Sequence, residues 1–250
     1  MHRFYVAPGE AGGDLLRLPE RERRHAADVL RVSPGETVTV LDGAGREIIC
    51  QVNEASRRDV TLAVRKTKVH PAPACRITLV QAVPKGKIIE SIIQKATELG
   101  AAAVVPLLSE RVATRVEDGD AAAHKAEKWT QIAVEAIKQC GQPWLPRVYP
   151  PVTLPSYLAS AEAVDLALVG SLQGDGRHPR AHFEKYRATH GRAPASVRLW
   201  IGPEGDFTPG ELDAIRRSGA QPITLGPLVL RSETAALYTL SVVNYEVTAA

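Results

Sequence analysis

Three glycine-bearing loops in the C-terminal third carry the residue types best suited to chemistry: Val169-Gly170-Ser171, Ile201-Gly202-Pro203-Glu204-Gly205, and the longer run Leu225-Gly226-Pro227-Leu228-Val229-Leu230-Arg231-Ser232-Glu233-Thr234. Each follows an apolar run that reads as a strand, and in open α/β sheets ligands bind outside the carboxyl ends of the strands. Glycine admits a close approach of backbone to ligand. Arginine stays charged and directs a planar fork of donors, and a carboxylate can accept or orient a proton. The spacing is neither GxGxxG nor GxxxxGK[ST], which disfavours a nicotinamide dehydrogenase or a P-loop nucleotide hydrolase. Tight strand-to-helix turns also favour glycine and proline. The spacing alone therefore leaves a binding loop and a structural turn equally open.

The elements around these loops follow from the hydrophobic period. Strands are expected at Ile77–Val83, Ala102–Leu107, Val164–Val169, Val197–Ile201 and Pro222–Leu225. They alternate with helices at Gly86–Leu99, Ala122–Cys140, Pro179–Ala188, Pro209–Ser218 and Glu233–Val247, and a proline-rich loop runs through Pro155. Such alternation predicts an α/β domain with a mainly parallel sheet. Thr208-Pro209-Gly210-Glu211 has the form of a capping box with proline at the first helical position. Ahead of the linker His70–Ala74 the period switches to two. Thr37–Leu41, Glu47–Val52 and Asp59–Val64 read as strands, preceded by a short helix in Pro19–Leu30. The expected domains are a β-rich one over 1–70 and an α/β one over 71–250.

Composition bounds the function. The chain has 250 residues, 44% hydrophobic and 24% charged, which excludes a disordered or disulfide-stapled protein. No stretch approaches the ~18 unbroken apolar residues of a membrane span, and Met1–Glu10 lacks a signal-peptide core. The three cysteines, Cys50, Cys75 and Cys140, are far apart and without CxxC spacing. They read as structural thiols of a cytoplasmic protein and argue against a zinc site. Lys and Arg exceed Asp and Glu by only 31 to 28, so nucleic-acid binding requires the cations to be gathered on one face. Arg21, Arg23, Arg24 and Arg31 gather around His25; Arg57 with Arg58, and Arg65, Lys66 and Lys68, form two further groups.

The run Leu199–Gly205, followed by Leu225–Ala235, resembles the paired signature of the ribosomal RNA small-subunit methyltransferase E (RsmE) family. These are uridine-N3 methyltransferases of the SPOUT superfamily. The resemblance extends over nearly the whole chain. It takes in Arg3-Phe4, His25–Arg31, Lys85-Gly86, Gln94–Gly100, Pro106, Ser109-Glu110-Arg111, and Trp129 through Glu135-Ala136 to Gln139-Cys140-Gly141. It departs at Asp206, where the family commonly has glycine, at Leu228 and Gln142, where arginine is usual, and at Ser232, where threonine is usual.

The resemblance implies a PUA-like β-barrel RNA-binding domain followed by a SPOUT-type α/β domain with a trefoil knot, forming a homodimer. It implies S-adenosylmethionine as cofactor, held by Val169, Gly170, Ile201, Gly202, Gly205, Leu225, Gly226, Leu230, Ser232, Thr234 and Ala235. The implied reaction is methylation of a uridine N3 in 16S ribosomal RNA on the assembled small subunit. Arg231 is the candidate cation at the developing uridine anion, with Glu204 and Glu233 as candidate proton acceptors or orienting groups. Arg3, Arg24, His25 and Arg31 are expected to face RNA, with no metal and no membrane involved. A related enzyme acting on another base or a ribose 2′-hydroxyl, and a non-catalytic ribosome-assembly factor, are the competing readings.

Overall fold

The structure is a computed structural model that describes residues 1–111 and 119–248. The chain forms two compact units, Met1–Ala72 with Val134–Leu145, and Pro73–Ala133 with Pro146–Ala250.

The first unit is built on a five-stranded sheet in the order β1-β3-β4-β5-β2. Its strands are β1 (Arg3–Tyr5), β2 (Leu15–Arg17), β3 (Thr37–Leu41), β4 (Arg46–Ala55) and β5 (Val60–Val69). Alternation places Val38, Val40, Ile48, Cys50, Val52, Val60 and Leu62 in one core with Phe4 and Leu16. Strands β1 and β2 were not expected, because three residues are too few to display a period. Strand β5 continues to Val69, five residues beyond the expected end. Its last half is exposed on both faces, so no apolar alternation marks it. The expected helix begins as α1 (Glu20–Arg24) and continues as a π-helical turn, His25–Leu30, closed by Arg31 in the left-handed region at φ 53°.

The second unit is a seven-stranded sheet, ordered β12-β10-β11-β6-β7-β8 with β9 also paired to β7. Its strands are β6 (Arg76–Ala82), β7 (Ala103–Leu108), β8 (Arg147–Val148), β9 (Val152–Thr153), β10 (Leu166–Gly170), β11 (Ser196–Ile201) and β12 (Gln221–Ile223). Every pairing described in this sheet is parallel. Parallel strands are covered on both faces, and accordingly β11 is buried from Val197 to Ile201. The helices are α2 (Ile88–Glu98), α3 (Gly119–Cys140, whose last turns belong to the first unit), α4 (Leu154–Ser160), α5 (Pro179–His190), α6 (Pro209–Arg217) and α7 (Ser232–Thr248).

Helix α4 stands where a proline-rich loop was expected. Pro155 falls in its first turn, where a missing N–H costs nothing, and the Thr153 hydroxyl caps it by accepting from the Ser156 N–H. Helix α7 packs on α2, β6 and β11. Glu246, near its C-terminal end, is buried and holds Arg180 at 2.9 Å and Arg187 at 3.3 Å from α5.

Within the first unit a buried ion pair replaces an apolar contact. The Lys138 ammonium of α3 donates to Glu22 of α1 at 2.9 Å, with side chains 7% and 5% exposed. The second Glu22 oxygen accepts from the Tyr5 N–H, and Lys138 also reaches Glu135. Removing one partner of such a pair leaves an uncompensated buried charge. Glu22→Ala should lower the unfolding free energy by about 3 kcal/mol, measured by urea denaturation. Glu22→Met combined with Lys138→Met should recover most of the loss.

Candidate functional site

At the carboxyl edge of the second sheet, the ends of β10, β11 and β12 lie side by side. Their register pairs Leu168 with Leu199 and with Gln221, so the loops leaving them open on the same side. The loops line an open cleft of about 90 Å³. Of the residues expected at a ligand, Gly170, Ile201, Gly202, Leu225, Gly226, Leu230, Ser232 and Ala235 line it, with the exposed Glu204 at its edge.

Others of the expected set lie elsewhere. Val169 points into the core with Trp200 and Val80, so β10 gives Gly170 and Ser171 to the cleft instead. The Gly205 carbonyl is turned to the Arg111 guanidinium. Thr234 is exposed on the first turn of α7, and Glu233 is half-buried there, where an acid suits the helix dipole. Arg231 is exposed beside the cleft at the start of α7, its carbonyl accepting from the Ala235 N–H.

One hydroxyl ties two of the three loops to the sheet. Ser232 Oγ donates to the Gly202 carbonyl at 2.6 Å and accepts from Gln81 Nε2 at 2.8 Å. Gln81 is next to last in β6, is fully buried, and also donates to the Ala82 carbonyl. Sequence reading placed Ser232 at the site but missed Gln81, 151 residues away. A glutamine inside an apolar strand was the available signal, since a buried amide requires partners.

The loop after β11 is braced from a second side. Glu211 and Thr208 form the expected capping box at the start of α6, with Thr208 N–H to Glu211 at 2.9 Å. The other Glu211 oxygen accepts from the Glu110 N–H at 2.8 Å. The segment Ser109-Glu110-Arg111 is thereby held against the Gly-Pro-Glu-Gly turn. Glu204 in turn accepts from the Lys85 N–H at 3.3 Å.

Asp206, which stands where glycine is usual, adopts φ 60°. That is the left-handed region in which aspartate is among the better tolerated side chains. Its Oδ1 accepts from the Phe207 N–H at 2.8 Å, so the turn keeps its shape without glycine and gains a carboxylate in the cleft lining. Gly202 is constrained by space, because a Cβ there would sit 3.0 Å from Asp206 Oδ1 and 3.3 Å from the Phe207 nitrogen. Gly226 is constrained by conformation, at φ 110° with open space around it. Leu228 and Val229 line the cleft while being 74% and 77% exposed.

In the first unit, Arg24 and His25 share an open concavity with Arg21, Asp28 and Val29 above the Glu22–Lys138 pair. Arg24 pairs with Glu20, and Arg31 is exposed. Arg3 has partners within this unit. Its guanidinium donates to the Lys138 and Gln139 carbonyls at 3.2 and 3.0 Å, capping the C-terminal end of α3.

Residues 70–244 match the family model described as RNA methyltransferase domain, and residues 18–65 match the RNA methyltransferase PUA domain. The chain is 31% identical to the ribosomal RNA small subunit methyltransferase E of Synechocystis, over 97% of this chain and 77% of that one. The chain belongs to this RNA methyltransferase family. The family's Bacillus subtilis member is 29% identical over 90% of this chain and 88% of its own. Among solved structures, a putative methyltransferase from Legionella pneumophila in complex with the bound cofactor SAM superposes with a TM-score of 0.84, at 31% identity over 96% of this chain and 95% of that one. The Neisseria gonorrhoeae ribosomal RNA small subunit methyltransferase E bound to S-adenosyl methionine gives 0.83 at 26% identity, covering 97% and 96%. The fold is accordingly SPOUT-type α/β with a PUA-like N-terminal domain.

The Ser232 relay makes a direct prediction. Ser232→Ala leaves Gln81 Nε2 with one partner in a dry site and frees the Gly202 carbonyl. Stability should fall by about 2 kcal/mol in urea unfolding, and Ser232→Thr, which keeps the hydroxyl, should lose much less.

Proposed function

We propose that this protein uses S-adenosylmethionine to methylate N3 of a uridine in 16S ribosomal RNA on the assembled small subunit, acting in the cytoplasm as a homodimer. The observation that carries the reading is the cleft between the ends of β10, β11 and β12. Its walls are apolar at Ile201, Leu225 and Leu230, and its rim is backbone lying beyond the last sheet pairing at Ile223. Such a cleft suits an adenosine, with the flat base between aliphatic side chains and its polar edge on backbone groups. Glu204 and Asp206 bring two carboxylates to the lining, which suits a cationic sulfonium and ammonium.

Bound there, the cofactor supplies an electrophilic methyl group, and the chain's own residues prepare the nucleophile. Uridine N3 carries a proton and attacks only as that proton leaves. Glu204, exposed at the cleft edge, is a carboxylate placed to accept it. Arg231 has an exposed guanidinium next to the cleft and balances the charge that develops on O2 or O4. Glu233 serves the first turn of α7 and acts on Arg231 at most by orienting it. Holding the two reactants in attack geometry supplies the larger share of the rate, up to ~7–11 kcal/mol.

The remaining elements fit the same reading. The concavity around Arg24 and His25 offers cations to RNA phosphate, and the scarcity of aromatics in the first unit favours phosphate and shape contacts over base stacking. Tyr238 and Tyr245, seven residues apart on α7, and Leu228 and Val229 are exposed apolar or aromatic side chains of the kind a second copy of the chain would cover. The strand order supports a trefoil knot. The chain leaves β12 at the sheet edge, yet Ser232 joins Gly202 and Gln81 at the ends of β11 and β6 further in.

Methyl-labelled S-adenosylmethionine, the protein and small subunits from cells lacking it should yield label in 3-methyluridine after digestion to nucleosides. Label in a 2′-O-methyl nucleoside or another base would overturn the assignment. Arg231→Ala should slow transfer by about 100-fold while leaving cofactor affinity nearly unchanged. Cofactor binding measured by calorimetry should weaken by about tenfold in Gly202→Ala and in Gly226→Ala, through displacement of the turn in the first and backbone strain in the second. Undiminished binding in both would remove the cleft from the reading.

A further inference from the structure

The same sheet carries a second cleft at the opposite, amino ends of its strands. Register sets Arg198 of β11 beside Thr78 of β6, and Thr78 beside Ala103 of β7. One long side chain and two short ones thus make a floor with room above it. Tyr149 and Tyr157 stand over this floor with Pro150 and Pro151, and the cleft has a volume of about 430 Å³. None of these residues takes part in the cofactor cleft.

The charge on the floor is unusual. Arg198 is 7% exposed, and among the described residues no carboxylate pairs with it. Its Nη2 donates to the Glu162 carbonyl at 2.5 Å, its guanidinium lies 5.5 Å from the Tyr157 ring centroid, and its Nε has no partner. Burying a cation without an anion is costly, and buried polar groups ordinarily find partners. A second cation, Arg76, is exposed on the same lining, and Glu162 is its only acid. Ser196 adds a hydroxyl that so far only accepts, from the Asp165 N–H at 2.9 Å.

The walls select what accompanies the anion. Tyr157 meets Trp200 edge-on at 5.4 Å, which fixes its ring. Arg147 lies 4.2 Å from the Tyr149 ring centroid. Held aromatic faces beside a guanidinium are the chemistry that receives a base and its phosphate together.

We infer that this amino-end cleft binds a nucleoside monophosphate unit, with its phosphate on Arg198 and Arg76 and its base against Tyr149 or Tyr157. The unit is either a free nucleotide or one residue of a single-stranded RNA. The inference is independent of the proposed methyl transfer, because the two clefts share no residue.

The test uses the full chain saturated with S-adenosylhomocysteine, so that the carboxyl-end cleft is filled, and cytidine 5′-monophosphate as probe in calorimetry. Cytidine is neither the cofactor's base nor the proposed target. Binding should weaken at least about tenfold in Arg198→Met, which keeps the side-chain volume, and also in Ser160→Glu, which sets a negative charge on the exposed edge of the cleft. A hexacytidylate that binds much more tightly than the monophosphate, with the same dependence on Arg198, identifies RNA as the source; equal affinity identifies the free nucleotide. Inorganic phosphate binding as tightly as the nucleotide would overturn the role of the tyrosines. No binding by the wild-type protein, or binding unchanged in both variants, would overturn the site.

Discussion

The candidate site depends on one buried hydroxyl. Ser232 receives a hydrogen bond from Gln81 and gives one to the Gly202 carbonyl, so three distant segments meet at a single atom. In a dry environment each of these groups would be costly to leave unmade. Loop 225–231 therefore cannot drift from loop 202–206 without breaking bonds that water does not replace. The glycines gain their use from this fixed frame: Gly202 is packed against Asp206 and Phe207, and Gly226 turns the chain at positive φ.

The parallel sheet supplies the rest of the geometry. All strand ends face one way in such a sheet, so a single edge collects the loops, and helices on both faces protect the ladder. Glu211 extends this order outward. One carboxylate closes the capping box of α6 and holds the Glu110 N–H, coupling the loop after β7 to the loop after β11. Two sides of the Gly-Pro-Glu-Gly turn are thus determined by ordinary helix and strand chemistry. The opposite edge of the sheet has no such collection of turns, and there a buried arginine lies beside short side chains.

Much of this was legible beforehand. The capping box of α6, the β3 strand and strands β6, β7, β10, β11 and β12 of the second sheet follow from period and turn chemistry. The three site loops were marked by glycine at strand ends. Elements of two or three residues, such as β1, β2, β8 and β9, are too short to repeat a pattern. Helix α4 was hidden because its proline reads as a loop signal unless the cap at Thr153 is weighed with it.

What the sequence determined by itself was local: which segments are strands or helices, which loops end strands, and which residue types stand ready for an anion, a cation or a proton. Tertiary structure decided which of them share a space. Val169 and Ile201 both lie at strand ends, yet alternation turns one into the core and the other toward the cleft. Arg3 reads as a cation for RNA, and in the fold its Nη1 also reaches the carbonyl end of α3. Gln81 reads as a polar residue in a strand, and only the fold brings Ser232 to it. The physical reason is common to all three. Period and propensity act over a few residues, whereas the partners of a buried polar group are chosen by packing across the whole chain.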